Sequence, residues 1–419
     1  MLQKRLSVLA ALAVFGLAAC SHIPANPPIA ESAGPSEAPR LILISIDGFR
    51  ADYLKTGITP NLQALADGGA RAAMRPSFPS LTFPNHYTLV TGLRPDHHGI
   101  VNNTMRDPQK PDVTFKLSNR EAVADEFWWD DAKPLWVTAQ AQGVKVATLF
   151  WPGSEAVNHG TRPAYWLPYD EAMPASDRVK QVLDWIDLPA ADRPGAITLY
   201  YSTVDHQGHD FGPGSPEVDA ALRDVDASIG QLVDGLKARG LYGKVNIIVV
   251  ADHGMAKHRP ERFIRLADLL PADSYDLVTG GQVAGLKAKP GHETEVDKAL
   301  IATKHDYMQC WHKAKIPARF HYGHHRRVPE ITCLAAVGGY IVSQSKDNWM
   351  PKPNGGSHGY DPAAPEMQAL FIANGPAIRP GVKLPAFDNV DVYSLEAKLL
   401  GIRGEPNDGS LRALKPALY

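Results

Sequence analysis

Five short apolar runs, separated by helix-like segments, constrain the fold of this chain more than any other feature. They occupy residues 41–46, 144–150, 197–201, 245–250 and 368–373. Continuous apolar runs of this length are typical of strands that are buried on both faces of a parallel sheet. Between the runs, apolar residues recur at helical spacing, most clearly in residues 218–236. The alternation predicts an α/β domain with a central, mostly parallel sheet and helices on both faces.

Acidic residues and histidines follow several of these runs. Asp47 comes directly after the first run, Asp205 and His209 follow the third, and Asp252 and His253 follow the fourth. Because parallel strands end at the same edge of a sheet, we expect these side chains to converge. Carboxylate and imidazole are ligands that zinc prefers, and two metal ions would account for the number of groups. Each residue alone is equally compatible with a turn or a buried hydrogen bond.

A threonine between two prolines lies in a separate stretch of the chain. Thr82 follows Pro79 and precedes Pro84. Because proline restricts its own backbone and that of its predecessor, we expect a stiff, non-helical turn here, with a helix beginning near residue 87. A threonine hydroxyl is a weak nucleophile that needs a base or a metal to activate it. His358, in a glycine-rich turn, is a further candidate metal ligand. The alternative for the threonine is an ordinary turn.

The first 39 residues have the composition of an export signal followed by a tether. Lys4 and Arg5 precede an apolar run that ends at Cys20, which predicts a secretory signal in residues 1–20. The end of this run resembles the lipobox of bacterial lipoproteins, with Cys20 as the lipidated residue, and Ser21 resembles the signal for the outer membrane. We therefore expect a periplasmic lipoprotein anchored to the outer membrane, with residues 21–39 as a flexible tether and residues 40–419 as the folded domain. An ordinary cleaved signal and a buried N-terminal helix are the alternatives.

The remaining composition gives weaker constraints. The formal net charge is −2, so no basic groove for nucleic acid is expected. Cys310 and Cys333 favour a disulfide in an oxidising compartment, with two free thiols as the alternative. The pattern changes at about residues 260–350, which predicts a smaller α+β insertion over the site. Within it, the histidine-rich run 319–327 fits a solvated loop better than a metal site. The polar, aromatic segment 112–131 is expected to lie on the protein surface.

Motifs that begin directly after the first run and end at Gly359 together resemble one enzyme family, and the resemblance covers the chain from Leu41 to about Pro380. They are Asp47-Gly48, Thr82-Phe83-Pro84-Asn85-His86, Thr91-Gly92, Asn103, Asp205 with His209, Asp252-His253-Gly254-Met255 and Ser357-His358-Gly359. In this order they resemble the nucleotide pyrophosphatase/phosphodiesterase family, a branch of the alkaline phosphatase superfamily. The resemblance implies an alkaline-phosphatase-like fold and two zinc ions per chain. The implied ligands are Asp205, His209 and His358 for one ion and Asp47, Thr82, Asp252 and His253 for the other.

The resemblance also implies a reaction. Thr82 would attack a nucleotide phosphodiester or pyrophosphate and form a covalent phospho-threonine, with nucleoside 5′-monophosphate as the product. Asn103 would donate to a phosphate oxygen, and a neutral donor suits a diester with its single negative charge. Phe83 and Tyr169 would stack on the base of a small nucleotide substrate. One alternative is a phosphonate or choline-lipid hydrolase of the same superfamily, because aromatic rings also suit a quaternary ammonium group. Another is a non-catalytic lipoprotein that binds metal or a surface partner through the insertion.

Overall fold

The computed structural model describes residues 39–342 and 351–419. The predictions for residues 1–38 lie outside this range. The helices are α1 (Pro60–Asp67), α2 (Thr82–Thr91), α3 (Pro95–His98), α4 (Arg120–Ala124), α5 (Leu135–Gln140), α6 (Ala175–Ile186), α7 (Thr203–Phe211), α8 (Pro216–Ala238), α9 (Glu293–Asp297) and α10 (Asp391–Leu400). Within the described ranges, no helix has the length and apolar character that crossing a bilayer requires.

The strands fall into one large and several small sheets. In chain order they are β1 (Leu41–Ile46), β2 (Ala70–Arg75), β3 (Thr104–Asp107), β4 (Lys110–Lys116), β5 (Val146–Leu149), β6 (Tyr165–Leu167), β7 (Ala196–Tyr201), β8 (Asn246–Val250), β9 (Ala256–Lys257), β10 (Phe263–Arg265), β11 (Tyr275–Thr279), β12 (Val283–Ala288), β13 (Met308–His312), β14 (Ile331–Ala335), β15 (Tyr340–Val342), β16 (Gly356–Ser357), β17 (Ala369–Asn374), β18 (Val382–Lys383) and β19 (Phe387–Asp388).

The central sheet is mostly parallel, as predicted. Its order is β18-β2-β17-β8-β1-β7-β5-β6, and β19 also pairs with β2. Strand β1 pairs in parallel with both β7 and β8, whereas β17 runs antiparallel to both of its neighbours. Every residue of β1, β5, β7, β8 and β17 is buried. The five apolar runs therefore form five of the six interior strands of one sheet.

The helices form layers against this sheet. Helices α1, α6 and α7 pack on the long helix α8, whereas α2 and α5 pack on α10. Helix α8 begins at a proline, and the Ser215 hydroxyl caps it by accepting a hydrogen bond from the Val218 N–H. The apolar residues of its predicted helical face, including Val218, Leu222 and Ile229, are buried. The α/β architecture predicted from the sequence is confirmed.

A second, antiparallel sheet lies within residues 260–350. Its order is β11-β12-β14-β13, and it has a core of its own that includes Leu286, Val296 and Leu300. Cys310 and Cys333 lie directly opposite each other on β13 and β14 and form a disulfide. The expectation of a disulfide is therefore confirmed.

The turn predicted around Thr82 is helical instead. Thr82 is the first residue of α2, and the preceding Leu81 is extended, with φ −119° and ψ 157°. The helix thus begins about five residues earlier than expected. Pro84 is compatible with this position, because the first turn of a helix makes no use of the backbone N–H that proline lacks.

The segment 112–131 was expected at the surface, but its aromatic residues are part of the core. Trp128 and Trp129 are fully buried. The Trp129 ring packs edge-on against Phe83, with ring centroids 5.8 Å apart, and against Phe115. The polar residues of the segment obscured this role in the sequence, because Phe83, a partner of Trp129, lies outside the segment.

The basic run 319–327 is solvated only in part: Arg319, His321 and His324 are exposed, as expected, but other residues of the run are buried. Arg327 is fully buried, and its Nε donates to Asp107 Oδ2 at 2.6 Å, while Asp131 Oδ2 lies 3.3 Å from its Nη2. Its remaining N–H groups donate to the backbone carbonyls of Gly99, Phe127 and Trp128. We call these contacts the Arg327 anchor. Because nearly all guanidinium donors have acceptors, the buried charge is compensated, and the anchor ties the insertion to the core.

Candidate active site

Four predicted ligands lie at the carboxyl ends of adjacent parallel strands. Asp47 follows β1, Asp252 and His253 follow β8, and Asp205 lies in the first turn of α7, which follows β7. Since β1 pairs in parallel with both β7 and β8, the topology places all four at one edge of the sheet. All four side chains are buried.

Asp47, Asp252 and His253 form a first group beside Thr82. His253 Nε2 lies 2.9 Å from Asp252 Oδ2 and 3.4 Å from Asp47 Oδ1. The Thr82 hydroxyl oxygen lies 3.4 Å from the same nitrogen. The Gly48 N–H donates to Asp252 Oδ1 at 3.2 Å, which leaves Oδ2 as the oxygen that faces the group.

Asp205, His209 and His358 form a second group. His209 Nε2 lies 3.1 Å from His358 Nε2 and 3.4 Å from Asp205 Oδ2. Asp205 and His209 are one turn apart on α7, so both point to the same side. The ring of His358 stacks on that of His253 with centroids 3.4 Å apart. The two groups are therefore contiguous, and ligand atoms of Asp205, His253 and His358 also lie within 4.8 Å of one another. His253 is thus within reach of both groups.

The hydrogen bonds of the three histidines fix which ring nitrogen faces the cluster. A carbonyl oxygen can only accept, so the ring nitrogen that contacts it must carry the proton. The Nδ1 contacts are His209 to the carbonyl of Gly356 at 2.9 Å, His253 to that of Gly254 at 2.9 Å and His358 to that of Ser80 at 3.0 Å. Each neutral ring therefore turns the lone pair of Nε2 toward the cluster, which is the arrangement of metal-binding histidines.

Three carboxylate oxygens at the site have no hydrogen-bond partner among the described residues. They are Asp47 Oδ1, Asp205 Oδ1 and Asp252 Oδ2. Buried polar atoms are almost always paired, because an unpaired one loses the hydrogen bonds it made to water. Carboxylate oxygens and imidazole Nε2 atoms that lie 2.9 to 3.4 Å apart favour a shared cation.

The electrostatics of the protein alone are correspondingly unfavourable. Burial and the charges of Asp252 and Asp205 raise the pKa of Asp47 well above its usual value. Burial and the charges of His253 and His209 lower the pKa of His358 well below its usual value. A divalent cation would favour the ionised carboxylate and the neutral imidazole. The donor set of oxygen and nitrogen without thiolate therefore fits divalent metal ions at both groups.

Thr82 and Asn103 lie together at the edge of the cluster. The Asn103 side-chain oxygen accepts a hydrogen bond from the Phe83 N–H at 2.9 Å. This contact orients the amide, so its NH₂ group is the part that is available to a ligand. The structure thus brings the predicted nucleophile, the predicted phosphate donor and the predicted metal ligands to one place.

A cavity of about 490 Å³ opens next to Thr82. Phe83 and Tyr169, the two predicted base-stacking residues, both line it, together with Trp151 and Tyr200. Glu155 and Glu171 contribute carboxylates to the lining. A second cavity of about 430 Å³, on the side of His209 and His358, includes residues of the insertion such as Thr279 and Gln282. The insertion therefore contributes directly to the wall of the site.

The sequence predictions missed residues that orient the ligands. Tyr200 Oη donates to Asp47 Oδ2 at 2.6 Å. His258 Nδ1 donates to the Lys352 carbonyl at 2.7 Å, and its Nε2 accepts from Ser357, the neighbour of His358. Tyr200 lies near the end of a predicted strand, so the sequence places it near the edge of the sheet. The sequence does not indicate on which face of the sheet its side chain lies. No local pattern signals His258.

The model of the type I phosphodiesterase/nucleotide pyrophosphatase family matches residues 41–361. The chain belongs to this family. A pyrophosphatase/phosphodiesterase of Schizosaccharomyces pombe is 37% identical over 393 residues, which cover 90% of this chain and 80% of that protein. The bis(5′-adenosyl)-triphosphatase of Xenopus laevis is 36% identical over 382 residues, which cover 91% and 82%.

Larger relatives and solved structures match over the same region. Bovine ectonucleotide pyrophosphatase/phosphodiesterase family member 3 is 36% identical, and the match covers 91% of this chain but only 44% of that protein. The structure of murine ectonucleotide pyrophosphatase/phosphodiesterase 5, an inactive threonine-to-alanine variant in complex with AMP, superposes with a TM-score of 0.86 and 36% identity. The superposition covers 91% of this chain and 100% of the murine chain.

Membership of the type I phosphodiesterase/nucleotide pyrophosphatase family confirms two predictions made from the sequence motifs. The first is a fold shared with this family, and the second is activity as a hydrolase that cleaves phosphodiester or diphosphate bonds. The family also favours the enzyme over the non-catalytic lipoprotein considered as an alternative.

Metal removal should inactivate and destabilise the protein. We expect dialysis against a chelator to abolish hydrolysis of bis(4-nitrophenyl) phosphate and to lower Tm, because the buried carboxylates then repel one another without a compensating cation. Divalent metal should restore both quantities. Asp205→Asn should lower the metal content measured by elemental analysis, whereas Asp234→Asn, at an exposed position of α8, should not. Full activity with less than one metal ion per chain would contradict a two-metal site.

Proposed function

We propose that this chain hydrolyses nucleotide phosphodiesters and pyrophosphates with two zinc ions, through a covalent phospho-threonine at Thr82, and releases nucleoside 5′-monophosphates. The observation that carries the proposal is the position of the Thr82 hydroxyl between the ligand cluster and an aromatic cavity. The AMP complex of the murine relative supports a nucleotide as the ligand of this cavity. The name of the Xenopus relative supports cleavage between phosphates.

The ligands are assigned to the two ions as follows. Asp205, His209 and His358 would hold one ion, and Asp47, Thr82, Asp252 and His253 would hold the other. When bound, two such cations supply positive charge near the attacking and the leaving oxygen of an in-line displacement. Zinc fits because it binds imidazole and carboxylate together and imposes little geometric preference of its own.

The reaction is a double displacement at phosphorus. The Thr82 oxygen loses its proton to solvent and forms a bond to phosphorus, while the bond from phosphorus to the leaving oxygen breaks and that oxygen takes up a proton. Water then attacks the phospho-threonine, which releases the nucleoside monophosphate and regenerates Thr82. The Asn103 amide donates to a nonbridging oxygen. Thr82 also stands at the positive end of the α2 dipole, which favours negative charge there.

A choline-containing diester is the second candidate substrate. It is favoured by Glu155 and Glu171, whose carboxylates line the same cavity as Phe83 and Tyr169. A quaternary ammonium group binds well where aromatic faces and negative charge meet. Glu155 is already engaged, because it pairs with Arg120 at 2.8 Å and accepts from the Tyr169 N–H. The nucleotide therefore remains the first choice.

The identity of the nucleophile can be tested directly. Thr82→Ala should lower kcat by on the order of 10³-fold or more with the fold intact, because the attacking oxygen is gone. The matched variant Thr82→Ser keeps the hydroxyl and should retain part of the rate. Mass spectrometry of wild-type protein quenched during turnover should find the nucleotidyl adduct on the peptide that contains Thr82. An active alanine variant would identify water as the nucleophile.

Substrate class can be decided by comparing three esters. We expect kcat/KM to be higher for an aryl ester of a nucleoside 5′-monophosphate than for an aryl alkyl phosphate or aryl phosphocholine, because stacking on a base contributes about 1 to 3 kcal/mol. Phe83→Ala and Tyr169→Ala should remove most of this preference and spare the alkyl ester. Tyr165→Ala, on an edge strand with its hydroxyl bonded to the Asp192 carbonyl, is the control. Preference for phosphocholine would favour the second candidate.

We also propose that the protein is a lipoprotein of the periplasm, anchored to the outer membrane through Cys20. The disulfide between Cys310 and Cys333 supports an oxidising compartment. Two signals are expected in cells that express the gene: labelling of the wild-type protein with a fatty acid, and its recovery with outer membranes. Cys20→Ala should abolish both. Wild-type protein recovered entirely in the soluble periplasmic fraction would rule out the anchor.

A further inference from the structure

Tyr200 lies between the ligand cluster and the substrate cavity. It is near the end of β7, opposite Ser45 of β1, and the residue is 7% exposed. Its hydroxyl donates to Asp47 Oδ2 at 2.6 Å, while its ring forms part of the cavity wall next to Tyr169. One side chain therefore contacts both a metal ligand and the space proposed for the base.

The hydrogen bond determines which oxygen of Asp47 faces the cluster. Oδ2 is occupied by Tyr200, and Oδ1 has no hydrogen-bond partner and lies 3.4 Å from His253 Nε2. Without the hydroxyl, Asp47 could rotate about its terminal torsion, which has a broad energy profile for a carboxylate. A rotated Asp47 would no longer present the same lone pairs to a cation.

The Tyr200 ring is held in place by its neighbours. It packs edge-on against His86 with centroids 5.2 Å apart, and His86 itself is bonded to Ser45 and to the Thr82 carbonyl. The next residue, Tyr201, points to the opposite face of the sheet, where its hydroxyl bonds to Ser228 of α8. The two adjacent tyrosines thus offer a matched pair, of which only one faces the site.

We propose that Tyr200 is a positioning residue that sets the affinity of the cation held by Asp47 and Asp252. The inference rests on the two-zinc site of the proposed function. Outer hydrogen bonds of this type typically change metal affinity by about 10- to 100-fold. Tyr200 acts through Asp47 and does not itself touch the reacting atoms.

The test measures zinc binding independently of catalysis. Metal-free wild-type and Tyr200→Phe proteins are titrated with zinc in competition with a chromophoric chelator of known affinity. The wild type should bind two ions. In Tyr200→Phe, which keeps the ring but lacks the hydroxyl, one ion should bind about 10- to 100-fold more weakly and the other with unchanged affinity. Activity should return at higher zinc concentration, with KM for the nucleoside ester near the wild-type value.

The control is Tyr201→Phe, which removes the hydroxyl on the opposite face and should leave both zinc affinities unchanged. Thermal unfolding of the metal-free proteins separates a structural effect from an effect on the site. Equal zinc affinities in wild type and Tyr200→Phe would overturn the inference and leave the two-zinc proposal standing, whatever the change in Tm. Binding of fewer than two ions by the wild type would overturn both.

Discussion

The fold concentrates negative charge that it cannot neutralise by itself. Parallel pairing of β1 with β7 and β8 places Asp47, Asp205 and Asp252 at one buried edge, and each keeps one oxygen without a hydrogen-bond partner among the described residues. Ionised groups of like sign in such surroundings cost several kcal/mol unless a counter-charge is present. Each surrounding histidine directs its Nδ1 proton to a backbone carbonyl, so its Nε2 is the atom that faces the cluster. Bound cations would supply the positive charge that these buried carboxylates lack.

This constraint also explains why much of the site could be predicted from the sequence. A buried strand gives a continuous apolar run, and the residue that follows it is necessarily near the sheet edge. The positions of Asp47 and Asp252 follow from that rule alone. The family motifs then added the roles of Thr82 and Asn103, which no periodicity indicates. His358 follows the two-residue strand β16 rather than a long apolar run, so its glycine-rich turn, and not the strand rule, made it a candidate ligand.

The features that were not predicted depend on tertiary contacts or on exceptions to a local rule. Trp128 and Trp129 appear in a polar stretch, and their burial depends on Phe83 and Phe115. Tyr200 and Tyr201 are adjacent tyrosines in one apolar run, so the sequence does not distinguish the residue that faces Asp47 from the one that faces α8. The start of α2 at Thr82 was obscured by Pro84, which is a helix breaker everywhere except in the first turn.

The Arg327 anchor has a consequence for the biosynthesis of the chain. Its ion pair joins residues 220 positions apart, and its acceptors flank the stretch that carries Asn103. A nascent chain that has emerged only as far as β8 contains four of the seven proposed ligands, the nucleophile Thr82 among them, yet Asp107 still lacks its counter-charge. The amino-terminal half therefore cannot become fully native before the insertion has been translated. The amino-terminal half is synthesised first, but it gains all of its native contacts only after the insertion has been made. A chain truncated within the insertion before Arg327 would therefore lack the buried partner of Asp107.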